Sequence, residues 1–342
     1  NYMKNLKLID KIIYLINGLL AFVLLLSYLL PFVPPKTFAL LSVLSLGVPF
    51  LILINVIFFL YWLIKLKKQL ILSLVVLIIG YFSFGSLYKF SSEDDEIHDY
   101  QLKVMNYNVR LFNLYDWIPE KGIAMKMVDL INDKAPDVLT IQEYHPHPDV
   151  NLSSFKYKFE KLSGNKTKYG QVILSQYPII NSGSVEFPET SNNAIFADIV
   201  KADDTIRIYN IHLQSLKIDA NMDKLQQEDS ERLLKRIEQT FEMQQLQTEL
   251  FLEHKAACPY KVIISGDFNN TAFSYVYKEL KGNLKDTFKQ AGNGFGRTYD
   301  FKFFPIRIDF ILSDPSFEIT DFKTIDNKYS DHYPIMTTLK LH

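Results

Sequence analysis

The stretch best suited to chemistry is Gly266-Asp267-Phe268-Asn269, which follows an apolar run at residues 262–264. The run predicts a buried strand, and Gly266 is predicted to let the backbone turn sharply where that strand ends. An aspartate at a strand end can position or deprotonate a water molecule, and α/β sheets carry their reactive groups there. Aspartate, asparagine and glycine also dominate ordinary turns, so the motif alone leaves catalysis and a plain turn as alternatives.

Similar groups of carboxylate, amide and imidazole side chains occur beside five other strand-like runs. In chain order they are Asn106-Tyr107-Asn108, Gln142-Glu143, Asn210-Ile211-His212, Arg307-Ile308-Asp309 and Ser330-Asp331-His332. None of these motifs is specific alone, because Asp-His and Gln-Glu pairs are common in surface loops. Their repetition at corresponding strand ends predicts one site where residues that bind metals or transfer protons meet.

The elements that must position these groups lie between residues 101 and 341. Apolar runs typical of strands cover residues 102–109, 138–141, 171–174, 194–200, 205–213, 261–265, 307–312, 317–324 and 335–341. Helical patterns cover residues 119–132 and about 221–254, the second being polar with spaced apolar residues. Mixed strands and helices, with adjacent strands in places, favour an α/β sandwich over a doubly wound sheet.

The first 90 residues differ in composition from the rest of the chain. Three apolar runs, at about residues 12–33, 37–64 and 70–88, are each long enough to cross ~30 Å of hydrocarbon as a helix. They lack the polar faces of helices in a soluble domain, and a secretory signal would be one shorter run. We therefore predict a membrane region with three helices at residues 1–90, an acidic linker at 91–100 and a catalytic domain at 101–342.

The lysine positions predict how the membrane region is oriented. Six lysines precede the first run or separate the second from the third: Lys4, Lys7, Lys11, Lys65, Lys67 and Lys68. In a three-span arrangement both groups lie on one side, which the positive-inside rule assigns to the cytoplasm. The prediction is an integral protein of a bacterial inner membrane with its catalytic domain on the periplasmic, or extracytoplasmic, side.

Charge is divided along the chain in the same way as hydropathy. Residues 1–90 contain eight lysines and one aspartate, a net charge of +7, and the whole chain carries −1, so residues 91–342 carry −8. Such a domain lacks the broad basic surface of a DNA binder, which weighs against a nucleic-acid substrate but leaves it open, because a bound cation changes the local field. The single cysteine, Cys258, rules out a disulfide within the chain.

In this order the six motifs resemble those of the endonuclease/exonuclease/phosphatase superfamily. Its members include pancreatic deoxyribonuclease, abasic-site endonucleases, neutral sphingomyelinases and inositol polyphosphate 5-phosphatases. The resemblance covers residues 101–342 and omits the membrane region. It implies a four-layer α/β/β/α sandwich, in which two mixed β-sheets pack face to face and helices cover them. The motifs are specific for the superfamily and not for a substrate.

The resemblance implies a metal site built from three residues. Glu143 is similar to the main carboxylate ligand of a divalent cation, and Asn108 and Asp331 are similar to its neighbours, with Asn108 also near the substrate phosphate. Abasic-site enzymes carry an acidic residue two positions after the asparagine of the first motif, where this chain has Arg110. This departure disfavours an abasic-site enzyme and leaves Arg110 either to touch a phosphate or to pair at the surface.

The resemblance also implies catalytic roles. Asp267 is similar to the residue that orients or deprotonates the attacking water, and Asn269 is similar to the amide beside it on the phosphate. His332 resembles the histidine that contacts the scissile phosphate, and Asp309 the carboxylate that holds its tautomer. His212 resembles the second active-site histidine of the deoxyribonuclease and sphingomyelinase branches.

These residue types suit phosphoester hydrolysis. Displacement at phosphorus builds negative charge on the non-bridging oxygens, which an oxygen-ligated cation offsets. A positioned aspartate and histidine can move the protons and stabilise the charge. Hard oxygen ligands, in a sequence without a zinc-spaced Cys/His cluster, predict Mg²⁺ or Mn²⁺ as the cofactor.

The sequence thus predicts a membrane-anchored, divalent-metal-dependent phosphoesterase that is nuclease-like and acts on phosphodiesters or phosphomonoesters. Its predicted partners are a phosphoester substrate and the lipid bilayer, and no protein partner is indicated. The alternative is a phospholipid-, sphingomyelin- or inositol-phosphate-directed enzyme. The intact set of site residues disfavours a non-catalytic binding module.

Overall fold

The computed structural model describes residues 6–85, 88–89, 100–217, 229–301 and 304–341. The strands are β1 (Gln101–Asn108), β2 (Val138–Tyr144), β3 (Tyr157–Ser163), β4 (Tyr169–Ser175), β5 (Ile179–Glu186), β6 (Asn193–Lys201), β7 (Asp204–His212), β8 (Lys261–Asp267), β9 (Lys285–Asp286), β10 (Asp309–Ser313), β11 (Glu318–Thr324) and β12 (Ile335–Lys340). The α-helices are α1 (Leu8–Ser27), α2 (Ala39–Val43), α3 (Val48–Ile64), α4 (Leu70–Phe84), α5 (Ile123–Lys134), α6 (Ser230–Ala256), α7 (Tyr275–Lys281) and α8 (Thr287–Ala291).

The strands form two six-stranded mixed sheets, each with one parallel pair at its centre. The order is β11-β12-β1-β2-β4-β3 in the first sheet and β5-β6-β7-β8-β10-β9 in the second. The parallel pairs are β1 with β2 and β7 with β8. A helix joins each pair, α5 in the first sheet and α6 in the second, because a parallel pair needs a crossover connection.

Apolar side chains explain why the two sheets pack face to face. Val104, Ile208 and Ile263 belong to a buried cluster between the sheets. A second cluster joins α5 to the outer face of the first sheet, and a third joins α6 and α7 to the outer face of the second. Each fully buried side chain of this size stabilises the fold by about 1.5–3 kcal/mol. The layers follow the order helix, sheet, sheet, helix, and the predicted pair of stacked mixed sheets is confirmed.

The residues that face the opposite sheet change from apolar to polar along each central strand. Side chains alternate between the two faces of a strand, so every second residue points at the other sheet. These residues are Leu102, Val104, Asn106 and Asn108 in β1; Val138, Thr140 and Gln142 in β2; Ile206, Ile208, Asn210 and His212 in β7; and Ile263, Ser265 and Asp267 in β8. The apolar half forms the core between the sheets, and the polar half forms a layer at the carboxyl ends of the strands.

Gly266 lies inside β8, whereas the sequence predicted a turn there. It pairs with Ile211 on β7 and has a φ angle of 154°. A Cβ atom at this position would lie 2.0 Å from the carbonyl oxygen of Ile211. Glycine is required because the neighbouring strand comes too close for any side chain, and not because the chain reverses.

Gly266→Ala is expected to destabilise the protein by about 1–3 kcal/mol or more, because the backbone of β7 cannot move aside as a flexible side chain would. The thermal midpoint of the full-length protein in detergent measures the effect. Gly18→Ala is the matched control, because nothing lies within 4 Å of a Cβ at that position. Equal midpoints for the two variants would contradict the steric explanation.

The amino-terminal region has two helical segments long enough to cross a membrane, where the sequence predicted three. Leu8–Phe32 and Ala39–Ile64 are apolar segments of 25 and 26 residues. The third, α4, has 15 residues, because Gly85 adopts a φ angle of 79° and ends the helix. At 1.5 Å per residue α4 spans about 22 Å. Residues 86 and 87 of the third predicted run lie outside the described residues.

Helices α1, α3 and α4 pack as a bundle with hydrogen-bonded polar side chains at its centre. Asn17 donates to Ser73 at 2.7 Å and accepts from the Trp62 indole at 3.1 Å. Ser73 donates in turn to Asn55 at 3.4 Å. Side-chain hydrogen bonds of this kind join apolar helices to one another. The polar residues within the apolar runs therefore serve helix packing.

The bundle has one lysine-rich end and one end against the sandwich. At the first end, Lys65 pairs with Asp10, near the start of α1. Lys4 lies outside the described residues. The contacts at the other end are Lys36 with Glu249, Phe50 with Phe304, and Phe84 with Phe273. The lysine clusters and the sandwich thus lie at opposite ends of the helices.

Several boundaries differ from those predicted. Helix α5 begins at Ile123 and not at residue 119, because Gly122 before it has a φ angle of 74°. Helix α6 begins at Ser230, where Asp229 accepts from a first-turn amide, and the predicted residues 221–228 lie outside the described residues. Most of the predicted linker, residues 91–99, also lies outside them. Strands β3 and β5 were missed, because neither contains a fully buried residue and both lack an apolar run.

Candidate active site

The predicted site residues come from both sheets and meet at the carboxyl ends of the central strands. The first sheet supplies Asn108 at the end of β1, Glu143 in β2, and Asp331 and His332 before β12. The second sheet supplies His212 at the end of β7, Asp267 at the end of β8, Asn269 after it, and Asp309 at the start of β10. Antiparallel pairing of β8 with β10 sets Asp267 directly opposite Asp309.

His332 and Asp309 form a buried hydrogen-bonded pair. The His332 Nδ1 atom lies 2.9 Å from Asp309 Oδ2, and because an ionised carboxylate only accepts, Nδ1 carries the proton. The His332 ring also contacts Tyr299 edge to face, with 5.1 Å between ring centroids. Burial lowers the pKa of His332, but the charges of Asp309 and Asp267 outweigh it and hold that pKa well above its usual value.

Asp267 lies between the two histidines and accepts hydrogen bonds on both carboxylate oxygens. Its Oδ2 atom lies 3.7 Å from His332 Nε2 and 3.8 Å from His212 Nε2. The Asn108 amide donates to Oδ2 at 3.0 Å, and the backbone amide of Asn269 donates to Oδ1 at 2.8 Å. Burial, and then repulsion from the neighbouring carboxylate on β10, raises the pKa of Asp267 to about 7. A carboxyl group with this pKa can accept a proton from a bound water.

His212 lies beside this group as a neutral side chain. Burial, and then the charge of His332, lowers the pKa of His212 to about 3. The separation of 3.8 Å from Asp267 is too long for a hydrogen bond. A neutral imidazole at this position can still donate one hydrogen bond to a ligand.

Glu143 occupies a strained position in β2. Its φ angle is 50°, at a bulge where the pairing of β2 with β4 shifts between Ile141 and Tyr144. Bulges re-aim side chains, and left-handed residues other than glycine cluster at functional sites. Burial, and then the charge of Asp331, raises the pKa of Glu143. Two carboxylates that repel each other suit a site that a cation completes.

One set of residues that could hold a metal ion is fully buried. Ligand atoms of Asp267, Asp309 and His332 lie within 4.8 Å of one another. Each aspartate is 1% exposed, and His332 is 6% exposed. The Nδ1 atom of His332 is already bonded to Asp309, so only its Nε2 atom is left as a ligand, and Mg²⁺ in proteins prefers oxygen ligands.

A second set consists of Glu143, Asp331 and Asn108. Glu143 and Asp331 line the cavity, and the side chain of Asn108 is close enough to Glu143 to counteract the rise in its pKa. All three supply hard oxygen atoms, and the cavity leaves space for water ligands. This donor set fits Mg²⁺ or Mn²⁺ better than the buried set does.

Residues without a predicted catalytic or binding role support the site from the core side. Thr140 and Ser265 share a hydrogen bond of 2.7 Å between the two sheets. Asn106 accepts from Thr140 at 3.0 Å and from Gln142 at 2.7 Å, and it donates to Asp309 at 3.4 Å. The signal in the sequence is the polar residue at every second strand position. The hydrogen-bond partner of such a residue can lie in the other sheet, and the sequence alone does not identify it.

Two residues predicted to contact the phosphate have partners within the protein. Arg110 pairs with Asp331 at 3.3 Å, and its guanidinium stacks 4.5 Å from the centre of the Trp117 ring. Of the two alternatives for Arg110, the structure therefore contains the ion pair. The side-chain amide of Asn269 donates to the Leu213 carbonyl at 2.9 Å, and Asn269 also lines the cavity.

A cavity of about 310 Å³ lies over these residues. Its polar floor includes Glu143, Asp267, Asn269, Asp331 and His332. Its apolar walls include Phe295, Phe301 and Phe304 from the segment before β10, and Leu46, Pro49, Phe50 and Phe84 from the amino-terminal region. The two regions of the chain therefore build the cavity together.

Comparison with known families gives two matches along the chain. Residues 105–332, which include every predicted site residue, match the Endonuclease/Exonuclease/phosphatase family. Residues 10–87 match a family described as a domain of unknown function. A comparison with curated proteins gives no significant match.

Solved structures with the same fold are distant in sequence. An endonuclease/exonuclease/phosphatase from Beutenbergia cavernae is 18% identical, with 70% of this chain and 72% of that chain covered and a TM-score of 0.54. The human Nocturnin catalytic domain with bound sulfate is 15% identical, with 72% and 96% covered and a TM-score of 0.54. D. rerio TDP2 complexed with single strand DNA product is 19% identical, with 71% and 100% covered and a TM-score of 0.51.

Proposed function

The chain belongs to the endonuclease/exonuclease/phosphatase family, and we propose that it is a membrane-anchored, divalent-metal-dependent phosphoesterase. The observation that carries this proposal is the buried group of Asp309, His332 and Asp267 beside two cavity-facing carboxylates, Glu143 and Asp331. Such a group can activate a water molecule and stabilise charge on phosphoryl oxygens.

The second set, with Glu143 and Asp331 at the cavity and Asn108 beside them, would hold Mg²⁺ or Mn²⁺. When bound there, the cation supplies positive charge that offsets the charge on the phosphoryl oxygens and the repulsion between Glu143 and Asp331. The ion pair between Arg110 and Asp331 orients this carboxylate at the rim of the cavity. Arg110 thus acts on the phosphate through Asp331 or, after side-chain rotation, directly.

The remaining residues bind, orient and move protons. Asp267 orients the attacking water and takes its proton, because its carboxyl group combines a raised pKa with a place in the cavity floor. Asp309 accepts from His332 Nδ1, and the raised pKa keeps His332 protonated on both ring nitrogens, so Nε2 can donate to a non-bridging phosphate oxygen. His212 and Asn269 flank the phosphate as neutral hydrogen-bonding groups.

Nucleic acid is a second candidate substrate, because the D. rerio TDP2 structure of the same fold holds a single-stranded DNA product. Five of the eight excess negative charges on residues 91–342 lie in the linker at 91–100, so the catalytic domain at 101–342 carries −3. A domain without net positive charge weighs against wide contact with a polyanion, since nucleic-acid binding draws on basic side chains. Arg110, a cation beside the site, already has Asp331 as its partner. A small or lipid-borne phosphoester therefore suits the domain better.

The full-length protein is expected to hydrolyse at least one member of a phosphoester panel in the presence of Mg²⁺. The panel contains bis-p-nitrophenyl phosphate, plasmid DNA, sphingomyelin and inositol phosphates. Activity should elute with the protein during purification and should be lost in His332→Ala purified in the same way. If the protein hydrolyses no member of the panel, the proposed function is contradicted.

The amino-terminal bundle anchors the protein in a membrane. Its outer surface is apolar, with Leu15, Leu19 and Phe22 of α1 at 62%, 62% and 58% exposure, and an apolar surface of this kind is stable when lipid covers it. The domain division stays as the sequence predicts, with a membrane region at 1–90, a linker at 91–100 and a catalytic domain at 101–342. The lysine-rich end opposite the sandwich supports the proposal that the catalytic domain is on the periplasmic side of a bacterial inner membrane.

A reporter that works only outside the cytoplasm is expected to be active when fused after His342, because the lysine clusters retain the other end in the cytoplasm. The same reporter inserted after Lys68, between α3 and α4, is the matched control and should be silent. An active reporter at Lys68 and a silent one at His342 would show that the orientation is the opposite of the one proposed.

A further inference from the structure

The amino-terminal helices contribute directly to the wall of the active-site cavity. Leu46, Pro49 and Phe50 come from the turn that leads into α3 and from its start, and Phe84 is the last residue of α4. These side chains line the same cavity as His332. The bundle is therefore part of the substrate site, in addition to any role as an anchor.

Specific contacts hold this wall against the sandwich. The ring pairs are Phe50 with Phe304, at 4.8 Å between centroids, and Phe84 with Phe273, at 5.5 Å. The backbone amide of Lys36, in the loop after α1, donates to the Gln245 side chain on α6 at 2.8 Å. Contacts on two sides of the cavity thus fix the bundle end relative to the reacting residues.

The cavity is polar at its floor and apolar along this wall. The floor has the carboxylates and the imidazole that would act on a phosphate. The segment that supplies the wall also exposes large apolar side chains, with Phe32, Phe38 and Leu44 at 63%, 59% and 52% exposure. Large apolar side chains are therefore exposed at the same end of the bundle as the cavity, where the proposed anchoring puts the membrane face.

We infer that the substrate is a lipid phosphoester whose apolar part lies against Leu46, Phe50 and Phe84 while its phosphate lies at His332. The inference rests on the proposed phosphoesterase function and adds the class of substrate. A cavity of about 310 Å³ has room for a phosphate and the first part of an apolar chain. An apolar wall removes an alkyl chain from water and offers nothing of the kind to a hydrated polyanion.

The test uses p-nitrophenyl phosphodiesters whose second ester is an n-alkyl chain, from ethyl to octyl, at concentrations below micelle formation. The hydrolysis of each diester by the protein in lipid nanodiscs is measured, together with the free concentration of the substrate. The expected kcat/KM rises by about twofold or more per added methylene until the cavity is filled, because each buried methylene favours binding. The readout is the ratio of kcat/KM for the octyl and ethyl diesters.

Phe50→Ser is expected to lower this ratio by about tenfold, because a polar side chain replaces a large apolar contact. Phe38→Ser is the matched control, because Phe38 is exposed at the same end of the bundle and is not among the described residues that line the cavity. Its octyl-to-ethyl ratio should equal that of the wild type. The thermal midpoints of both variants check that the bundle is folded.

Three results would overturn the inference. The lipid site would be ruled out by equal kcat/KM for all chain lengths, or by an unchanged octyl-to-ethyl ratio in folded Phe50→Ser. Phosphodiester hydrolysis would still be established in either case. Faster hydrolysis of a single-stranded oligonucleotide than of the octyl diester would favour nucleic acid, whose bases can stack on aromatic rings. Inactivity on every phosphoester would instead contradict the proposed function itself.

Discussion

Replacing His332 with alanine is expected to lower kcat for phosphodiester hydrolysis by about 10²–10⁴-fold, the usual contribution of a positioned proton-transfer group. The structure gives the reason. Its Nδ1 atom is bonded to Asp309 at 2.9 Å, which leaves Nε2, 3.7 Å from Asp267, to meet the phosphate. The measurement is kcat at saturating Mg²⁺, with circular dichroism to check the fold.

Asp309→Asn is expected to lose a comparable factor, because a neutral amide removes the negative charge that keeps His332 protonated on both ring nitrogens. The double variant should be little slower than either single variant, since the two residues act as one unit. His145→Ala is the control: His145 lies after β2, bonded to the Lys168 carbonyl, and its loss should leave kcat unchanged. Near-normal kcat in both folded single variants would remove the pair from the mechanism.

Removing divalent cations is expected to abolish hydrolysis, and Mg²⁺ or Mn²⁺ should restore it, because the cavity-facing ligands are hard oxygens. The repulsion between Glu143 and Asp331 points to the same requirement, since a cation between them offsets it. The measurement is the initial rate after dialysis against chelator, followed by titration with each metal. Full activity in excess chelator would contradict metal dependence.

The position of the site could be predicted because side chains alternate between the two faces of a strand. Apolar residues followed by Asn108, Gln142, His212 or Asp267 indicate strands whose ends carry polar groups, and parallel strands bring such ends together. The sequence could not reveal the layer beneath. Thr140 and Ser265 are ordinary strand residues until the packing of two sheets brings them to 2.7 Å.

The amino-terminal region shows the same limit. Composition identified the apolar runs, but Gly85 shortens the third helix through its backbone conformation, which composition does not encode. Likewise, Gly266 reads as a turn residue in sequence, and its close approach to Ile211 becomes visible only when β7 and β8 are paired. The contact of Phe50 with Phe304 depends on docking between regions about 250 residues apart, which local patterns cannot predict.

The site offers two places for a cation, and Mn²⁺ binding measured by electron paramagnetic resonance distinguishes them without an activity assay. If Glu143 and Asp331 hold the metal beside the Asp309–His332 pair, Glu143→Gln should weaken Mn²⁺ binding by about tenfold or more, while His332→Ala should keep the wild-type affinity. The opposite pattern, with binding lost in His332→Ala and retained in Glu143→Gln, would place the metal among Asp267, Asp309 and His332 and contradict the assignment of His332 to the phosphate.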